Sequence, residues 1–326
     1  CLRILEGHED SVKYVCYTCD GKKLASNTGE TLRIWDAQSR ECRHILDGHE
    51  YLGEMFSNSQ DEKTVAWASE DNKIRICNAE TGECISVLEG NVDLVCGIGY
   101  GSNGKNLAWG SLDNTVRIWD IQTGGCILIL EGHEGNIEDV CYAPDGQTFA
   151  SGSWDKTVRL WNANTGECRH VLKGHNGNVS CISYAPDAKI LASGSYDNYL
   201  RIWDILTGEC LRNFAGHEHG VHCISFDTDG KKLASGGGDY NVRIWDAQTG
   251  DCQHVLKGHT DEVLSVSYSP DGKTIASAGE DGTIKFWDVA IGKLICTTFA
   301  DGDLWCTLTP EGYYTGTKNC EVLLIF

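Results

Sequence analysis

The sequence predicts an all-β chain in which one four-stranded unit is written repeatedly. Three observations carry this: a Gly-His pair at a fixed step, an aromatic-acid pair on the same beat, and short alternating apolar runs separated by turn-forming residues. Gly-His occurs at His8, His49, His133, His175, His217 and His259, with Asn91 in the remaining slot; the first step is 41 residues and each later one 42. The second marker closes at Trp35-Asp36, Trp119-Asp120, Trp203-Asp204, Trp245-Asp246 and Trp287-Asp288, with Trp161-Asn162 and Cys77-Asn78 as altered copies. Self-similarity at a fixed period identifies an array before any local motif can be trusted.

Within one period the runs "NVSCISYAP", "KILASGS", "YLRIWD" and "ECLRNF" place Val, Ile, Tyr and Trp at period-two spacing. Such runs are half-buried strands, and the Pro-Asp-Gly, Tyr-Asp-Asn and Thr-Gly-Glu segments between them supply turn chemistry. No segment has a helical period of useful length. A four-stranded unit of this size cannot bury a core alone, so the units are expected to pack face to face around an axis.

These residues resemble the WD-repeat family of β-propellers over essentially the whole chain. The resemblance rests on the Gly-His pair, the "LASGS" strand, an Asp six residues before Trp, and the Trp-Asp close, in register in the stretches ending at Trp161, Trp203, Trp245 and Trp287. It implies a hydrogen-bond chain in each regular blade: Trp161, Ser151, His133 and Asp155; Trp203, Ser193, His175 and Asp197; Trp245, Ser235, His217 and Asp239; Trp287, Ser277, His259 and Asp281. Although Ser, His and Asp together suggest a hydrolase, a nucleophile needs a free hydroxyl and an oxyanion site, and here the indole N–H takes the serine oxygen. The sets are therefore expected to be scaffolding.

The first three repeats depart from the pattern. Gly29 replaces the turn Asp in the first, Trp67 and Trp109 replace the strand serine in the next two, Cys77 replaces a strand Trp, and Asn91 a loop His. These blades are expected to be held by packing alone, unless the two extra tryptophans form a second contact surface. Outer strands of the "ECxxxL" type begin at Cys1, Cys42, Cys84, Cys126, Cys168, Cys210, Cys252 and Leu294, and three strand-like runs follow the last. The expectation is therefore a single domain, 1–326: an eight-bladed propeller closed by pairing Glu321 to Phe326 with Cys1 to Glu6. With no initiating Met, it reads as a piece of a longer, multidomain chain.

The chain of 326 residues carries a formal net charge of -20 and no Lys/Arg cluster, which argues against nucleic acid as a partner. Apolar runs are too short to span a bilayer, so no membrane role is expected. Seventeen cysteines suggest disulfides until their positions are counted: one set recurs every 42 residues and equivalent positions stay apart. Reduced thiols and a cytoplasmic location follow. Neither Cys16 with Cys19 nor "HEHGVHC", which carries His217, His219, His222 and Cys223, has the ligand spacing of a structural metal site, and no cofactor is expected.

The resemblance also implies where a partner docks: at the third and fifth residues after the loop His, and at the residue before the turn Asp. Those turn positions hold Thr28, Glu70, Leu112, Trp154, Tyr196, Gly238 and Glu280. Beside them stand Asn136, Glu138, Asn178, Ser180, His222, Glu262 and Leu264. An aromatic pair in adjacent repeats, ringed by polar and acidic groups, has the makeup of an interface anchor. A non-catalytic scaffold is expected, a monomeric ring binding a protein or peptide with a basic segment. A sensing or autoinhibitory domain of a larger switch is the alternative; a cofactor-dependent propeller enzyme has no convergent cluster in its favour.

Overall fold

Alternation places each strand, and the repeat at 179–215 illustrates the rule. Its strands, Val179–Tyr184, Ile190–Ser195, Tyr199–Asp204 and Cys210–Ala215, pair antiparallel in sequence order. The second is buried from Leu191 to Ser195, whereas in the fourth only Phe214 is buried. Burial thus declines outward, because the inner strands are covered on both faces by neighbouring blades. The computed structural model describes residues 11–18, 20–28, 32–46, 52–59, 63–69, 73–79, 81, 83–89, 95–301 and 304–316, of which 44–46, 52–56, 58, 68–69, 300, 301 and 304 are described by backbone only.

Seven such sheets form the molecule: blade 1 spans 14–46, blade 2 52–88, blade 3 95–130, blade 4 137–173, blade 5 179–215, blade 6 221–257, and blade 7 begins at 263. The first strand of each blade lies nearest the axis and meets the first strands of its neighbours. Apolar clusters bridge successive blades, as where Ala192, Leu200 and Ile202 meet Leu233 and Trp245. The innermost edge, a liability in any open sheet, is satisfied from the preceding blade. Ile182 N donates to Asp139 Oδ2 (2.8 Å), Tyr100 N to Ser57 Oγ (3.3 Å) and Tyr268 N to Ser225 Oγ (3.4 Å).

The same bond closes the ring, and it corrects the expected blade number. Val15 N donates to Ser265 Oγ and Tyr17 N to Ser267 Oγ, both at 3.1 Å, and Val12 N reaches Gly279 O at 3.1 Å. Val12, Val15 and Trp35 share one apolar cluster with Ala276, Ile284 and Phe286. Blade 1 therefore sits directly against blade 7, so the propeller has seven blades and no gap for an eighth.

The strands after Trp287 extend blade 7 instead. Lys293–Asp301 is nine residues long and pairs onward with Leu304–Leu308, which pairs with Tyr314–Gly316, giving six strands in one sheet. Asp301 and Leu304 are cross-strand partners, leaving only Gly302 and Asp303 between the strands. A two-residue Gly-Asp connection makes a hairpin, whereas a new blade needs the longer Gly-His loop. Trp305 then packs edge-on against Trp35 of blade 1, ring centroids 6.1 Å apart. The expected pairing of Glu321 to Phe326 with Cys1 to Glu6 lies outside the described residues.

Trp67 and Trp109 are not a second contact surface. Each is 1% exposed. In blade 2 a large and a small residue have traded places: Trp67 fills the serine position and Cys77 the tryptophan position, and both join Ala25, Leu32 and Ile34 of blade 1 in one cluster. In blade 3 Trp109 lies against Trp119, centroids 4.5 Å apart and planes 23° from parallel. Blade 1 does not rely on packing alone, because Trp35 Nε1 donates to Ser26 Oγ (2.7 Å).

Candidate interaction face and central channel

The four expected polar chains are all formed. Trp161, Trp203, Trp245 and Trp287 each donate Nε1–H to the serine oxygen of the adjacent strand at 2.8–2.9 Å. His133, His175, His217 and His259 place Nε2 2.7 Å from those same oxygens. Their Nδ1 atoms lie 2.7–2.9 Å from Asp155, Asp197, Asp239 and Asp281. Each imidazole thus bridges a buried serine hydroxyl, which also accepts from the indole, and the carboxylate of the turn.

All four serines are 0% exposed, so none can meet a substrate. Burial holds His175 and His259 below the usual imidazole range. Burial alone would raise the four aspartates, but hydrogen bonds from their histidines outweigh it and hold each well below the usual carboxylate range. The arginines are a part of this network that motif spacing missed: Arg201 and Arg243 each donate to the blade's turn Asp at 3.1 Å.

These chains anchor the turns that make up one face of the ring. The residue before each turn Asp is tied by its backbone to the start of the same blade's innermost strand: Trp154 N to Asn136 O, Tyr196 N to Asn178 O, Gly238 N to Gly220 O and Glu280 N to Glu262 O, at 2.9–3.0 Å. A bulge follows, with register shifts at Ile137/Asp139, Val179/Cys181, Val221/Cys223 and Val263/Ser265. Glu138, Ser180, His222 and Leu264 are the extra residues, so each leaves the regular alternation; bulges re-aim side chains in this way.

Three expected pairs meet on this face. Trp154, 45% exposed, donates its indole N–H to Glu138. Tyr196, 49% exposed, stands edge-on to His222 of the next blade, centroids 5.4 Å apart. It also lies over Gly220, where a Cβ would come within 2.7 Å of Tyr196 Cδ1, so only glycine fits. His222 Nε2 is 3.0 Å from Glu262 Oε2, close enough for charge pairing although its N–H is not aligned as a hydrogen bond. Burial lowers His222, against the pull of Glu262 and Glu280.

Other expected residues serve differently. Ser180 is buried, its hydroxyl directed at Val221 O of the next blade and 3.2 Å from Gly194 O. Asn136, Asn178 and Leu264 are half-buried, the two asparagines tightening the turns through their carbonyls. Tyr240 was missed. It is 45% exposed in the turn after Asp239 and has φ of 65°, where the equivalent positions hold Asn114, Lys156, Asn198 and Gly282. A bulky aromatic in the left-handed region is a strained choice, and an aromatic in a slot suited to Gly or Asn was the available signal.

The channel carries a second group of side chains. Burial pushes the Asp139 carboxyl up to about 7, although N–H groups of Ile182 and Val140 pull it down. Tyr14, Cys141 and Cys181 are raised by burial and by the charge of Asp139 nearby. Asp139 serves the blade 5 edge, as above. Among the described residues no group of three or more His, Cys, Asp and Glu side chains is arranged to hold a metal ion.

The WD40 family model, the WD domain or G-beta repeat, matches residues 1–36, 82–120, 124–162, 166–204, 208–246 and 250–288. Together these cover more than half of the chain. Each match from 82 onward takes the outer strand of one blade and the three inner strands of the next, so the repeat in sequence is out of phase with the blade. The unmatched span 37–81 holds the inner strands of blade 2, where Trp67 and Cys77 stand. No curated protein matches the chain in sequence.

Proposed function

This chain belongs to the WD-repeat family, whose propellers are typical protein-interaction scaffolds, and from that premise we propose that it is a non-catalytic module binding a protein or peptide on the face around Trp154 and Tyr196. The observation that carries the reading is that both rings are close to half exposed on turns that need no aromatic for their own packing. Tyr240 adds a third exposed ring one blade further on. Indole and phenol rings give large contact area at low entropic cost, which is why they dominate interface hot spots.

The partner is a segment bearing Lys or Arg. Glu138 and Glu262 flank the rings and the chain carries a net charge of -20. Like charges would be repelled and cationic segments steered, an effect that salt screens. The propeller acts as a rigid monomeric ring in the cytoplasm, where its many thiols stay reduced.

The test is binding to an array of Lys/Arg-containing peptides, followed by titration of the best binder. Trp154→Ala is expected to weaken it by about 2 kcal/mol with the fold intact, and affinity should drop as ionic strength rises. An affinity indifferent to both Trp154→Ala and Tyr196→Ala places the contact elsewhere; turnover of a small molecule, abolished by a channel substitution, removes the scaffold reading altogether.

A further inference from the structure

In blades 1, 3, 4, 5 and 6 a cysteine at the start of the outer strand faces the strand tryptophan. Trp35 with Cys42, Trp119 with Cys126, Trp161 with Cys168, Trp203 with Cys210 and Trp245 with Cys252 are cross-strand partners. Blade 2 breaks the series, because there the tryptophan position is Cys77 and its partner is Cys84. Two thiols thus stand opposite one another on antiparallel strands, one 1% exposed and the other exposed. In a regular ladder opposed residues have Cα atoms about 4.5–5.5 Å apart, within the roughly 4.4–6.8 Å that a disulfide spans, and this pair ends the ladder beside a bulge at Ile76/Cys77.

We propose that Cys77 and Cys84 form an oxidisable dithiol site, closed to a disulfide by a hydroperoxide and reopened by a small thiol. The burial contrast fixes the order of events. Burial, with Cys84 alongside, pushes the Cys77 thiol up to about 12, so it stays protonated. The thiolate is the nucleophile, and the accessible sulfur is Cys84. Its thiolate attacks one peroxide oxygen, the O–O bond breaks, and Cys84 becomes a sulfenic acid as hydroxide leaves. Cys77 passes its proton to the sulfenic oxygen, and the thiolate so formed attacks Cys84 sulfur, the S–O bond breaking as that oxygen leaves as water. Two thiols lose two electrons, the peroxide gains them, and two waters form from hydrogen peroxide. Reduction consumes two small thiols, which leave as their own disulfide.

Cys42, Cys126, Cys168, Cys210 and Cys252 each oppose a tryptophan, which offers no resolving sulfur. Their oxidation stops at sulfenic acid or at a mixed disulfide.

The experiment treats the native chain with a small excess of hydrogen peroxide, then counts thiols under denaturing, non-reducing conditions. The tryptic fragment 76–105 contains Cys77, Cys84 and Cys96. It should emerge lighter by two hydrogens, and cleavage after Glu80 and Glu83 should leave the pieces holding Cys77 and Cys84 joined until reductant is added. Cys84→Ser, at an exposed position, should abolish the link while leaving the melting curve unchanged. Cys77→Ala should leave a sulfenic acid on Cys84 that a dimedone probe traps. A wild-type sulfenic acid on Cys84 that persists unresolved, or a link made by Cys96 instead, overturns the assignment.

Discussion

Blades 4 to 7 and blades 2 and 3 fill the same interior slot in opposite ways. In the former a serine at the slot gathers indole, imidazole and carboxylate into one polar chain. In the latter the slot holds Trp67 or Trp109, buried to 1%. A satisfied buried network fixes geometry, whereas a half-satisfied one is costly; packing needs no partner but uses every bit of volume. Blade 3 shows the residue of the exchange, because Nε1 of Trp109 and of Trp119 are buried without an acceptor. Its turn is kept without the loop His, Arg117 donating to Asp113 at 2.7 Å and Thr115 Oγ1 to the same carboxylate at 2.6 Å. What the difference teaches is that the ring requires a filled slot, and that polarity there is one of two ways to fill it.

The largest effect should come from emptying a packed slot. Trp109→Ala is expected to cost about 3–5 kcal/mol, the range for truncating a buried aromatic. His217→Ala, which takes one buried partner from Ser235 and one from Asp239 in blade 6, should cost about 1–3 kcal/mol. Denaturant unfolding of the two variants compares them directly. If His217→Ala proves the more damaging, the polar chains carry the ring and packing in blade 3 is secondary.

Acid sharpens the same contrast, since only the regular blades hold buried histidines described here. His175 and His259 are depressed in the folded chain by burial. The unfolded chain takes up their protons near pH 6.5 while the folded chain does not, so stability is full above that pH and is lost as pH falls below it. A second loss follows below about pH 4, because Asp155, Asp197, Asp239 and Asp281 are held low in the folded chain and protonate more readily when unfolded. Between pH 7 and 5 hydrogen exchange should rise in blades 5 and 7 before blade 3, whereas the global melting temperature also carries Asp139, whose carboxyl, raised by burial to about 7, takes up its proton first in the folded chain and adds stability over the same range. Exchange in blades 5 and 7 that does not change from pH 7 to 5 would mean the imidazoles are protonated in place.

Much of this was legible because repetition multiplies evidence. A Ser, His or Asp in one repeat says little, but the same three in step with Trp at four places let the bond network that the family resemblance implies be assigned residue by residue. Blade number was not legible in that way. Counting outer strands treated "DLWCTLTP" as the start of a new blade, whereas Asp301 and Leu304 are cross-strand partners, and the two residues between them are too short a connection for anything but a hairpin onto the preceding strand. The tryptophans at 67 and 109 misled for a related reason: sequence shows the substitution but not the compensating loss at Cys77 or the stacking on Trp119. Bulges were equally hidden, so Ser180 looked like a face residue although its hydroxyl turns inward to Val221 O.

The smallest stability effect should come from the third kind of tryptophan. Trp154 stands in a regular blade, yet it is 45% exposed, and its indole N–H is paired with Glu138 at the surface rather than with a buried serine. Removing it leaves no cavity and strands no buried group, because water can serve Glu138. Trp154→Ala should therefore shift stability by no more than about 0.5 kcal/mol, as surface changes usually do. Placed beside Trp109→Ala, the same deletion at two depths separates a residue the ring needs from one it only displays. A melting loss for Trp154→Ala comparable to that of Trp109→Ala would assign the exposed ring a structural duty and withdraw the main support for the binding face.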